Sequence, residues 1–133
     1  MPEQKRTIMV VDDEPGLVKF VQGCLEYEGY GVITAKNGEV ALKCLKEGKP
    51  DLILLDIMMP GLDGYQVCER VRESMEIPII MLTAKNRPQD MAAAIRIGAD
   101  DYITKPFGAD ELLDRMEGVF RRYRHIKKSK VSS

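Results

Sequence analysis

A chain of 133 residues is the size of one domain that buries its own core without staples, and a second folded domain does not fit. With 44% hydrophobic and 31% charged residues it is neither disordered nor fibrous, and no apolar run approaches the ~20 residues of a membrane span, so no membrane role is expected. All 21 acids precede residue 121 while six of the 20 Lys and Arg follow residue 120, which leaves residues 1–120 at −7, a body suited to a divalent cation rather than to direct binding of duplex nucleic acid.

The opening residues Met1 to Arg6 lack the apolar core of a secretion signal. Thr7 to Val11 is a short apolar run that predicts a first strand, and it ends in Asp12-Asp13-Glu14. Leu17, Val18, Val21, Cys24 and Leu25 then recur at helical spacing. Gly31 to Ala35 predicts a second strand. Asn37 is placed to cap the helix carried by Val40, Ala41, Cys44 and Leu45.

Leu52 to Leu55 predicts a third strand ending in Asp56, with loop chemistry at Pro60-Gly61 and Asp63-Gly64 and a helix marked by Val67, Cys68 and Val71. A fourth strand is expected from Ile77-Pro78 through Ile79 to Leu82, where proline at a strand start costs no ladder bond, and it ends in Thr83. An Ala-rich helix from Met91 to Ile97 precedes a fifth strand at Tyr102-Ile103, with Lys105 two residues on. Asp110 is expected to cap the last helix, striped by Leu112, Leu113, Met116, Val119, Phe120 and Tyr123. Residues 1–124 read as the domain and 125–133, six cations from Arg121 on notwithstanding, as a linker or tail.

Five short strands alternating with five helices predict an α/β fold with a parallel sheet covered on both faces. Three of the runs are continuously apolar, as buried central strands are. Cys24, Cys44 and Cys68 lack metal or redox spacing and read as buried apolar fillers in a reducing cytoplasm. Most of Met58, Met59, Met75, Met81, Met91 and Met116 are expected in the core.

Ligands of open parallel sheets bind outside the carboxyl ends of the strands. Asp12, Asp13, Asp56, Thr83 and Lys105 all fall there. Taken singly, each has an ordinary explanation as a cap, a turn residue or a strand-end hydroxyl. Their coincidence on three strand ends points to chemistry. Crowded carboxylates favour a hard cation with oxygen ligands, and an Asp carboxylate is a covalent phosphoryl acceptor that needs positioning and charge neutralisation more than a base. The single His125, in the basic tail, is not required.

Val10-Val11-Asp12-Asp13-Glu14, Leu55 to Gly64, Leu82-Thr83-Ala84 and Tyr102 to Phe107 resemble the receiver domains of two-component response regulators, over about Thr7 to Arg122. The resemblance implies a flavodoxin-like, doubly wound sheet of order 2-1-3-4-5. It implies that Asp56 takes a phosphoryl group from a sensor histidine kinase or phosphotransfer protein. Asp13, Asp56 and the Met58 backbone carbonyl would then hold Mg2+, for which Mn2+ substitutes, with Asp12 acting through water. Lys105 would pair with a phosphoryl oxygen, Thr83 would move to another, and small Ala84 would leave the acceptor reachable. Lys105-Pro106 would be cis, against the trans form that general statistics favour. The ring of Tyr102 would turn inward after Thr83 moves.

Gly98 to Arg122 further resembles the receivers of winged-helix transcription regulators, which pair through the fourth helix, fifth strand and fifth helix. That implies a partner or weak homodimer face with Asp101 and Arg115, and Arg96 and Glu117, as charge pairs. A receiver acting alone by protein contact is the alternative. A phosphatase of the haloacid dehalogenase type would need a second Asp where Met58 stands, and no stretch resembles a flavin module's phosphate loop.

Overall fold

The computed structural model describes the backbone of residues 6–132 and the side chains of residues 6–124; the first five residues and the tail side chains, His125 included, lie outside that range. Five strands and five helices alternate: β1 (Thr7–Val11), α1 (Pro15–Tyr27), β2 (Gly31–Ala35), α2 (Gly38–Glu47), β3 (Leu52–Asp56), α3 (Gly64–Arg72), β4 (Ile79–Thr83), α4 (Pro88–Ile97), β5 (Asp101–Thr104) and α5 (Ala109–Ser132). All strand pairs are parallel, in the order β2-β1-β3-β4-β5. Among the described residues no helix is long and apolar enough to cross a membrane.

Alternation along each strand sorts the core into two layers. Met9, Val11, Ile53, Leu55, Ile79, Met81 and Tyr102 join side chains of α2, α3 and α4 on one face. Ile8, Val10, Leu52, Leu54, Ile80, Leu82 and Ile103 join α1 and α5 on the other. The central strands β3 and β4 are buried along their whole length, whereas edge strand β2 is mostly half-buried, as the apolar runs predict.

Local chemistry sets most element ends. Asn37 accepts the Val40 N–H and caps α2, and Asp63 with Gln66 forms a reciprocal capping box on α3. Several expected boundaries move: α4 starts at Pro88 rather than Met91, and the α5 backbone continues to Ser132 past the expected start of the tail at 125. Asp110 lies in the first turn of α5, which starts at Ala109, so it faces the helix dipole rather than capping it. β4 starts at Ile79, because Pro78 has no N–H for a rung, although its carbonyl still accepts the Ile53 N–H at 2.9 Å.

Burial also departs from expectation at several side chains. Cys68 is fully buried, but Cys24 and Cys44 are half-buried on helix flanks rather than fillers. Met59, Met81 and Met116 are core residues and Met75 packs against the core, while Met58 and Met91 are exposed.

Candidate functional site

The order 2-1-3 reverses the direction of winding between β1 and β3, which opens a crevice above their carboxyl ends. β1 delivers Asp12 and Asp13 to that crevice and β3 delivers Asp56. Thr83 ends β4, next to β3, and the Lys105 N–H donates to the Thr83 carbonyl at 2.8 Å, which brings the β5 exit to the same rim. The Lys105-Pro106 peptide bond is cis.

Asp12, Asp13 and Asp56 each place a carboxylate oxygen within 4.8 Å of the other two. Asp12 and Asp56 are buried and Asp13 is exposed, so the cluster is a pocket with one wet side. Asp12 does not cap α1: Glu14 occupies the N-cap without a side-chain bond, and Pro15 starts the helix. Asp12 instead accepts the Glu14 N–H at 3.0 Å on Oδ1 and the Lys105 ammonium at 2.9 Å on Oδ2. The same ammonium lies 3.5 Å from Asp56 Oδ2.

Burial, and then the charge of Asp12, push the Asp56 carboxyl up to about 6, against the opposing pull of Lys105 and the Met58 N–H. Lys105 is raised overall: burial favours its neutral form, but the hydrogen bond to Asp12 and the charges of Asp56, Asp12 and Glu14 outweigh it. Three carboxylates converge here beside one ammonium, so the cluster carries an excess of negative charge. The donor set is all oxygen, with one face open for retained waters, which suits magnesium better than zinc.

The other expected residues fall around this centre. The Thr83 side chain is buried and its Oγ1 accepts the Lys85 N–H at 3.2 Å. Ala84 is exposed at the rim, and Met58 is 57% exposed while its N–H donates to Asp56 Oδ1 at 3.3 Å. Tyr102 differs from the expected resting arrangement: its ring is already buried, 3% exposed, and its hydroxyl donates to the Lys85 carbonyl.

On the α4-β5-α5 face Arg96 and Glu117 are exposed. Asp101 and Arg115 pair within one chain at 3.0 Å rather than standing free for a partner.

Gly64 was legible only as turn chemistry. A Cβ there would stand 2.4 Å from the Asp56 carbonyl oxygen and 2.6 Å from Ile57 Cα, so the start of α3 sits directly on the backbone that carries Asp56. The Asp-Gly pair after a strand-end Asp is its sequence signal. Asp100, next to Asp101, has no chemical signal of its own in the sequence, yet its Oδ2 accepts from Ile79 N–H, Arg72 and Tyr123 at the opposite edge of the sheet.

The family model described as "Response regulator receiver domain" matches residues 8–117. The chain is 48% identical over 122 residues to the probable transcriptional regulator ycf27 of Pyropia yezoensis, covering 92% of this chain and 50% of the relative. It is 48% identical over 118 residues to the alkaline phosphatase synthesis transcriptional regulatory protein PhoP of Bacillus subtilis, covering 88% and 49%. The chain thus spans about half the length of the curated relatives it matches. Among solved structures it is similar to a two-component response regulator from Clostridium difficile, with TM-score 0.86, 29% identity and coverage of 90% and 98%. It is also similar to the receiver domain of Francisella response regulator 1452, with TM-score 0.85, 31% identity and coverage of 90% and 99%. With the family model spanning β1 to α5 and the acidic crevice at the carboxyl ends of the sheet, the chain belongs to the response regulator receiver domain family.

Proposed function

We propose that Asp56 is the phosphoacceptor of this receiver and that its phosphorylation by a sensor histidine kinase or phosphotransfer protein controls an output, namely transcription. One observation carries the reading: the carboxylates of Asp12, Asp13 and Asp56 converge within 4.8 Å beside the Lys105 ammonium. In the reaction the donor's N–P bond breaks as a bond forms from an Asp56 carboxylate oxygen to phosphorus, and the donor imidazole leaves. What magnesium supplies, held by Asp13, Asp56 and the Met58 carbonyl with Asp12 acting through water, is neutralisation of the charge gathered there; Mn2+ substitutes.

Lys105 orients one phosphoryl oxygen and Thr83 turns to bond another, while exposed Ala84 leaves the approach open. Tyr102 then sets the shape of the α4-β5-α5 face, where Arg96, Asp101, Arg115 and Glu117 meet a partner or a second copy. The Asp101–Arg115 pair must first open within its own chain, and exposed pairs of this kind are worth ~0.2 to 1 kcal/mol, so a homodimer is weak and salt-sensitive.

The domain is a switch rather than an enzyme with foreign substrates, because Met58 stands where an Asp-nucleophile phosphatase needs its acid. It occupies residues 1–124, with 125–133 as tail, works in the cytoplasm and leaves nucleic acid to another domain of the full-length regulator.

Incubation with acetyl phosphate and magnesium should raise the intact mass by one phosphoryl group. Equal labelling after Asp56→Asn, or full labelling in chelator, would sink the assignment.

A further inference from the structure

We propose that Tyr65 is a positioning residue that couples the Asp56 strand end to the entry of α4, as a partner to Tyr102. This rests on the reading of Asp56 as the phosphoacceptor.

The entry of α4 is poorly secured by its own sequence. Its N-cap is Arg87, which makes no side-chain capping bond, and Pro88 follows. The segment from Lys85 to Asp90 is held instead by two tyrosines from different elements. From β5, the Tyr102 hydroxyl donates to the Lys85 carbonyl. From α3, the Tyr65 hydroxyl donates to the Asp90 carbonyl at 3.4 Å, a long contact, and the Tyr65 ring lies 5.7 Å from the Lys85 ammonium. Arg87 adds a bidentate pair to the Asp90 carboxylate, at 3.1 and 3.3 Å, but this tie is local to the loop and first turn and reaches neither α3 nor β5.

Tyr65 is also tied to the reacting strand end. It follows Gly64, whose N–H donates to the Ile57 carbonyl at 2.8 Å and whose Cα leaves no room for a methyl group against the Asp56 carbonyl. A shift of the Asp56 backbone therefore moves the first turn of α3, and Tyr65 with it. The third tie on this loop is the Lys85 N–H to Thr83 Oγ1. Thr83 surrenders that bond when its hydroxyl turns to a phosphoryl oxygen. Lys85 is then governed by Tyr102 at its carbonyl and Tyr65 at its ammonium, so the balance between the two tyrosines decides where the loop and the first turn of α4 settle.

Amide exchange over residues 85–91 tests this in wild type, Tyr65→Phe and Tyr65→Leu, with and without magnesium beryllofluoride, alongside phosphoryl uptake by mass and the unfolding midpoint. Both variants should take up phosphate as wild type does. In the free state, loss of one weak hydrogen bond should speed exchange at the entry of α4 by about three- to tenfold, more for Leu than for Phe, which keeps the ring for Lys85. The change on adding beryllofluoride should shrink in the same order. Exchange unchanged from wild type in both states, or faster exchange spread evenly over the domain, overturns the coupling alone. Wild type that gains no phosphoryl mass overturns the reading of Asp56 and the coupling with it.

Discussion

Lys105 and Asp12 make the tighter ion pair of the pocket, 2.9 Å between Nζ and Oδ2, against 3.5 Å from the same ammonium to Asp56. The cation thus leans on the carboxylate that is not the proposed acceptor, and it occupies charge that a metal would also use. Removing it in Lys105→Met should strengthen divalent binding. Unit charges ~5 Å apart at an effective dielectric of ~20 interact by about 3 kcal/mol, so after relaxation and screening a gain of at least about tenfold in affinity is expected by calorimetry. Unchanged or weaker binding would show that Lys105 does not compete with the metal.

Gly64 and Gly23 should respond in opposite directions to the same substitution. A Cβ at Gly64 meets backbone at 2.4 Å, which cannot yield as a flexible side chain does, whereas a Cβ at Gly23, exposed within α1, meets nothing within 4 Å. Gly64→Ala should cost about 1–3 kcal/mol or more and slow phosphoryl uptake by displacing Asp56. Gly23→Ala should stabilise by about 0.5–1 kcal/mol and leave uptake alone. Denaturant midpoints and mass spectrometry read both, and equal effects would refute the packing argument.

Asp100 and Asp101 are neighbours with unequal structural weight. Asp100 Oδ2 accepts the Ile79 N–H at 2.8 Å and Arg72 and Tyr123 at 3.0 Å each, tying α3, β4 and α5 together. Among the described side chains Asp101 meets only the half-exposed Arg115. Asp100→Ala should therefore cost about 1–3 kcal/mol, since it strands the buried Ile79 N–H and removes the acceptor of the half-buried Arg72 and Tyr123, and Asp101→Ala less than about 1 kcal/mol. Unfolding curves that rank the two variants the other way would show that the network is not what fixes this edge.

Thiol chemistry should separate the three cysteines. Burial pushes the Cys68 thiol up to about 11 from its ordinary 9, because the thiolate has no water and the Arg72 charge only partly compensates. Its folded-state pKa is the higher one, so the associated stability is present below pH 9 and is lost as pH rises through about 11. At pH 8 Cys68 carries about a hundredfold less thiolate than an ordinary thiol, quite apart from being inaccessible. An aromatic disulfide reagent should modify Cys24 and Cys44 in the native protein and reach Cys68 only on unfolding. Three native thiols reacting at one rate would contradict this burial.

Much of the fold was legible because periodicity and turn chemistry are local. The apolar runs ending in Asp12-Asp13, Asp56 and Thr83 needed no distant information to be read as strands, nor did Asn37 as a helix cap. A parallel sheet then has only one edge at which those ends gather, so the membership of the pocket followed from the sequence itself. What each side chain does within it did not follow. Lys105 and Asp12 are 93 positions apart, and which of two carboxylates an ammonium leans on is decided by strand order and by differences of about half an ångström. For the same reason Tyr102 is found inward on Lys85, Arg115 is spent on Asp101 in its own chain, and Asp100 rather than Asp101 anchors α5. Composition cannot rank neighbouring acids or aromatics of equal pattern. Close packing can, because a buried donor or charge must find its partner among the few atoms that the assembled layers bring within reach.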